Sequence, residues 1–127
     1  MNPVTTFEEG CASRSVDPTK LPGVAELPER FRQSVIDHYK LMVLTEAVNE
    51  GKKPNWKNGN KEKWFSWWRV LTGNKNRGSG LGLSLLDVDY FCTYTSVGSR
   101  LSSVSEDAAR HLATTFPDIY EGALLEP

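Results

Sequence analysis

Lys63-Trp-Phe-Ser-Trp-Trp-Arg-Val-Leu71 is the stretch on which the fold turns. Aromatic and β-branched residues favour an extended, pleated chain whose side chains alternate between two faces. That period puts Trp64, Ser66, Trp68 and Val70 on one face, and Phe65, Trp67, Arg69 and Leu71 on the other. Large rings fall on both, so neither face is simply left to solvent, and at least two of these aromatics belong to the structure. On the N-terminal side, Lys52–Asn60 is a loop by composition, with Pro54, Asn55, Asn58, Gly59 and Asn60. On the other side, Thr72–Gly80 reads as a polar turn. Leu81–Leu86 and Val88–Thr95 read as two further strands joined tightly at Asp87, and Ser96-Val-Gly-Ser99 turns into a fourth at Arg100–Val104.

Helices flank these strands. Pro28–Glu50 carries Phe31, Val35, Tyr39 and Met42 at three- and four-residue steps, widened by Ile36, Leu41, Val43, Ala47 and Val48. Pro28 suits a first turn and Gly51 a C-terminal stop. A stripe this wide predicts deep burial against a sheet. Ser103-Val-Ser-Glu106 has the form of a capping box opening a last helix, with Ala108, Leu112 and Phe116 on its buried side. Pro117 ends that helix, and Asp118–Glu121 forms a short turn carrying Ile119 and Tyr120. Residues 1–27, with Pro3, Pro18 and Pro22, read as an extended or partly ordered arm with a short helical turn, pinned by Leu21, Val24 and Leu27, and residues 123–127 as a frayed tail. The expected architecture is one α+β domain over residues 28–122. In it, an antiparallel sheet of about four strands carries the long N-terminal helix and the C-terminal helix on one face.

The chain is 127 residues long and 39% apolar, which suits a single domain with one modest core. No apolar run approaches the roughly 20 residues that span a bilayer, and the start lacks a secretory pattern. No membrane association and a reducing bacterial cytoplasm are therefore expected. Cys11 and Cys92 are the only cysteines, which is neither a disulfide scaffold nor a zinc pattern, and Cys92 reads as an inert core thiol. His38 and His111 stand alone on helices, His38 as a hydrogen-bonded flank of the apolar stripe. Asp87 and Asp89 read as part of a polar turn. Gly78-Ser-Gly-Leu-Gly82 is not a phosphate loop: Leu83 stands where a dinucleotide fingerprint needs its third glycine, and Ser79-Gly80 where a Walker loop needs Lys-Ser/Thr. No nucleophile–base pair or metal-ligand cluster is evident, so the chain reads as non-enzymatic and without a cofactor.

The charge is unevenly spread. Residues 51–77 hold eight bases, one acid and all four tryptophans, a formal +7, whereas the remainder of the chain balances to −8. Cations mixed with flat π surfaces suit a nucleic acid or a nucleotide-type ligand. Trp56 and Trp67 are the candidate stacking rings. Lys52, Lys53, Lys57, Lys61, Lys63, Arg69, Lys75 and Arg77 are the candidate phosphate contacts. Arg100, beside a turn with two hydroxyls, either grips a phosphate bidentately or pairs with Asp87 or Asp89 across the sheet. The expected partner is nucleic acid, with single-stranded DNA favoured, or a host signalling nucleotide. The alternative is a protein–protein module, such as a virion component, an inhibitor of a host protein or a homo-oligomer, since an exposed tryptophan patch also makes an interface hot spot.

Several pieces in order resemble a family of small uncharacterised proteins from Bacteroidota and their phages and mobile elements. These are Asp17-Pro-Thr-Lys-Leu-Pro22, Leu27-Pro-Glu-Arg30, His38-Tyr-Lys-Leu41, Glu46-Ala-Val-Asn-Glu-Gly51, Lys53-Pro-Asn-Trp56, the Trp67-Trp68 strand, Val97-Gly-Ser-Arg-Leu101 and Phe116-Pro-Asp-Ile-Tyr120. Relatives carry an aromatic-proline-aromatic strand where Phe65-Ser-Trp67 stands and Cys-Phe-Lys where Ser102-Ser-Val104 stands. The second difference removes a base near Arg100. The resemblance implies an origin and a single domain, and it implies no mechanism.

Overall fold

The computed structural model describes residues 4–70, 83–92 and 99–125. Its elements run α1 (Phe7–Ser13), α2 (Glu29–Val48), β1 (Glu62–Val70), β2 (Leu83–Cys92), a 3₁₀ turn at Ser99–Leu101, α3 (Glu106–Thr115) and α4 (Pro117–Leu124). The turns expected at Thr72–Gly80 and at residues 96–98 lie outside the described residues, as do Leu71, Leu81, Gly82 and residues 93–95. The class is α+β, with four helices and one antiparallel two-stranded sheet among the described residues. No helix described is long and apolar enough to cross a membrane.

Among the described residues two strands stand where about four were expected, and the difference has two local causes. Asp87 does not reverse the chain. It lies inside β2 beside a bulge, where Trp67 pairs with Asp87 but Trp68 pairs with Leu85, so one extra residue is absorbed. The Asp87 and Asp89 carboxylates accept the N–H groups of Val88 and Tyr90, each at 2.8 Å. The expected Arg100–Val104 strand fails for another reason. Ser103 exchanges both backbone hydrogen bonds with Trp64, at 3.0 and 2.8 Å, but the next N–H, of Val104, is taken by the Asn49 side chain at 2.8 Å. Pairing therefore stops at a single bridge.

Helix α2 begins one residue after Pro28 and stops at Val48, followed by left-handed backbone at Glu50 (φ 56°) and Gly51 (φ 76°). Its main partners are α4 and α1, not a sheet. Leu41 and Leu44 are sealed in a core with Leu112, Phe116 and Tyr120, while Phe31 and Val35 at the start of the helix remain exposed. The Ser34 hydroxyl donates to the Ala123 carbonyl at 2.7 Å, which sets the end of α4 against the third position after Phe31. Gly122 sits so close to α2 that a Cβ there would overlap the buried Asp37 carboxylate.

The N-terminal region carries a short helix, α1, where a helical turn was expected within the arm. Thr6 caps α1 by accepting the Glu9 N–H at 3.1 Å, and the Glu9 carboxylate returns to Thr5 and Thr6. Gly10 and Cys11 are buried against α2, whereas the expected anchor Leu21 is exposed. His111 of α3 donates to the Val4 carbonyl and holds the chain start in place. At the other end, Ser105 rather than Ser103 caps α3, and α4 continues through Leu124 where a frayed tail was expected. Ala108, Leu112 and Phe116 do form the buried side of α3, and the break at Pro117 is observed. Cys92 is exposed at the end of β2, contrary to the expected core position.

Asn49 joins these parts. Its side chain donates to the Thr45 carbonyl at 2.7 Å and to the Ser103 hydroxyl at 3.1 Å, and accepts from Val104. Asn49→Ala should destabilise the protein by about 3 kcal/mol, because it strands several buried polar groups together. Urea denaturation would measure this. Burial pushes the Tyr120 hydroxyl up to about 12, so the folded state holds a proton that the unfolded chain releases near its ordinary value of 10. Stability should accordingly fall as pH rises from about 10 to 12. Tyr120→Phe should flatten that fall in alkaline melts.

Candidate nucleic-acid interface

The loop between α2 and β1 is built from asparagine-centred turns. The Asn55 side chain accepts the N–H groups of Lys57 and Asn58, and the Asn58 side chain accepts that of Asn60. These turns bring the loop over one face of the hairpin, where Trp56 meets Phe91 with ring centroids 6.5 Å apart. From there the aromatic contacts continue. Phe91 lies 4.9 Å from Phe65, and Phe65 lies 5.2 Å from Trp67. Four rings thus form an unbroken row ending at Trp67, which is 53% exposed. The opposite face of β1 points into the fold. Trp68 packs on Tyr120 at 5.0 Å beside the core, and Trp64 is half-buried against Tyr90 at 4.7 Å.

The start of the row opens on a cleft of about 550 Å³. Lys52, Lys53 and Arg100 line it with Trp56, Tyr39 and Thr45. Lys52, Lys53 and Arg100 are exposed and enter no ion pair among the described residues. Glu46, the acid in the same wall, is engaged by Arg14 at 3.0 Å. The guanidinium of Arg14 lies against Gly51, whose left-handed backbone and missing side chain make room for it. Arg100 does not pair with Asp87, whose carboxylate instead takes Arg110 at 3.1 Å. Accepting the Val88 N–H and then the Arg110 guanidinium holds the Asp87 carboxyl below its ordinary range.

The structure therefore divides the candidate residues. Lys52, Lys53, Trp56 and Arg100 come together at the cleft, and Trp67 stands at the far end of the ring row. Lys57, Lys61 and Arg69 are exposed elsewhere on the loop and strand. Lys75 and Arg77 lie outside the described residues. Lys63 is displaced from the expected role. It is fully buried, donates from Nζ to the Asn58 carbonyl at 2.8 Å, and sits 5.4 Å from the Trp56 ring centre. The loop that covers it is a tertiary feature with no mark in the local period. Thr45 and Tyr39, lining the cleft from α2, were not among the candidates, since both read as ordinary positions on a helix.

Lys63 acts as a fastener for the loop. Lys63→Met keeps the aliphatic stem but leaves the Asn58 carbonyl without its donor, and should destabilise by about 1–3 kcal/mol. Trp56 emission should shift toward that of a solvated indole. Lys61→Met, on an exposed side chain, should change neither measurement.

Comparison with protein-family models, with curated proteins and with solved structures finds no match for this chain.

Proposed function

We propose that the protein is a small non-enzymatic binder of nucleic acid, with single-stranded DNA first among its ligands and a nucleotide-type ligand as the close variant. The observation that carries this reading is the continuous row from the cationic cleft through Trp56, Phe91 and Phe65 to exposed Trp67. Every base offers a π face, so a row of rings accepts any sequence, at about 1–3 kcal/mol per stacked base. Lys52, Lys53, Lys57, Lys61 and Arg100 supply phosphate contacts around it, with Arg69 on the strand. A bacterial cytoplasm and a phage or mobile-element origin are parts of the same proposal.

The second reading is a protein–protein module. Val70 and Leu86 on the two strands are 57% and 63% exposed in addition to Trp67, which is more apolar surface than a stacking row requires.

Salt separates the two readings. With about five cations engaged on a single strand, log affinity should fall with log salt at a slope of about −3.5. Quenching of tryptophan emission by a thymidine oligomer, titrated at several salt concentrations, measures it. The double change Lys53→Glu with Arg100→Glu should weaken binding about 100-fold while leaving the thermal melt in place. A slope near zero would discard the nucleic-acid reading.

A further inference from the structure

We propose that the cleft beside Trp56 is a site for a phosphomonoester-bearing nucleotide, either free or at the end of a strand, and that Thr45 is one of its ligand contacts. This deepens the nucleic-acid reading and rests on it.

The argument starts from charge. The cleft wall carries Lys52, Lys53 and Arg100, and its acid, Glu46, is already engaged by Arg14. Three cations are left to face the ligand. A phosphodiester inside a strand carries one negative charge, whereas a phosphomonoester carries nearly two at neutral pH and offers three acceptor oxygens. The cluster is matched to the second. Arginine adds planar, two-pronged recognition of phosphate oxygens.

Size and shape agree. A volume of about 550 Å³ falls in the range of small-molecule sites. Trp56 and Tyr39 line the same cleft. The ring row leaves from Trp56, so a strand whose end nucleotide occupies the cleft has a path along the hairpin.

Thr45 supplies a second, independent observation. It is 5% exposed, it lines the cleft, and its hydroxyl is the one buried side-chain polar atom with no hydrogen-bond partner among the described residues. A buried hydroxyl without a partner is unfavourable by about 1–3 kcal/mol. Threonine on a helix ordinarily returns its hydroxyl to the preceding turn, and here it does not. The oxygen is screened in its present rotamer. Helical threonine divides between two χ1 settings, and one step can carry the hydroxyl to the place the methyl held while the methyl moves to that of the hydrogen. The ligand therefore completes a hydroxyl that the fold leaves open.

The test compares four probes by fluorescence quenching and calorimetry: a short thymidine oligomer with a 5′-phosphate, the same oligomer with a 5′-hydroxyl, thymidine monophosphate, and inorganic phosphate. The 5′-phosphorylated oligomer should bind at least about tenfold more tightly than its 5′-hydroxyl counterpart. Thr45→Val, nearly the same shape, should reduce that preference severalfold, keep the binding of the 5′-hydroxyl oligomer, and leave the unliganded melt unchanged or raised. Equal binding of the two oligomers overturns the inference and leaves the strand-binding reading standing. Binding of thymidine monophosphate but of neither oligomer upholds the site with a free nucleotide as its source and removes the strand. Inorganic phosphate binding as tightly as thymidine monophosphate overturns the nucleotide part. A Thr45→Val protein that retains the full preference overturns the role of Thr45. No binding of any probe overturns both the inference and the reading on which it rests.

Discussion

A single buried amide holds the pieces of this fold in register. Asn49 stands where α2 ends, and its two polar ends are used on both sides of the chain: inward to the Thr45 carbonyl, outward to Ser103 and Val104. Ser103 in turn pairs with Trp64, the third residue of β1. The helix layer, the segment after the 3₁₀ turn and the hairpin therefore meet at one buried polar point. Buried amides are tolerated only when satisfied, so the geometry here is narrowly specified. Two cationic walls follow from it. Lys52 and Lys53 follow Asn49 in the chain and Arg100 precedes Ser103, so both sides of the cleft adjoin the clamp.

Electrostatics and packing share the same residues unevenly. Of the cations concentrated in residues 51–77, Lys63 is withdrawn entirely and spent on holding the loop, while its neighbours Lys57 and Lys61 remain in solvent. A buried ammonium without a carboxylate is costly, and a carbonyl together with a ring face compensates it only in part. The arrangement makes sense if the ring that it steadies has work to do on its other side, and Trp56 does line the cleft.

The regular elements were legible wherever a period ran uninterrupted. Residues 62–70 alternate, and both faces of that strand matter as the alternation implied. The buried side of α3 followed from Ala108, Leu112 and Phe116. Legibility failed where side chains did the work of backbone. Asp87 has a turn former's chemistry, but it spends that chemistry on the N–H beside it, and β2 runs through. Val104 looked like strand and was claimed by an amide from a distant helix. The short helical turn expected in the arm is α1, whose start Thr6 and Glu9 mark at capping-box spacing. Of the site, the charge and the rings were visible in composition. The burial of Lys63 and the unfilled hydroxyl of Thr45 belong to three-dimensional contacts that no local spacing records.

The paired acids of β2 have a wider meaning for the molecule as a whole. An outer strand of a sheet presents a row of backbone groups to which an extended chain can add. On β2, Asp87 and Asp89 fold back onto the amides of Val88 and Tyr90, occupying donors that an intruding strand would need. The same carboxylates place negative charge along that strand. Side chains of β2 itself thereby blunt its outer edge, while Trp67 and Tyr90 on the hairpin stay exposed.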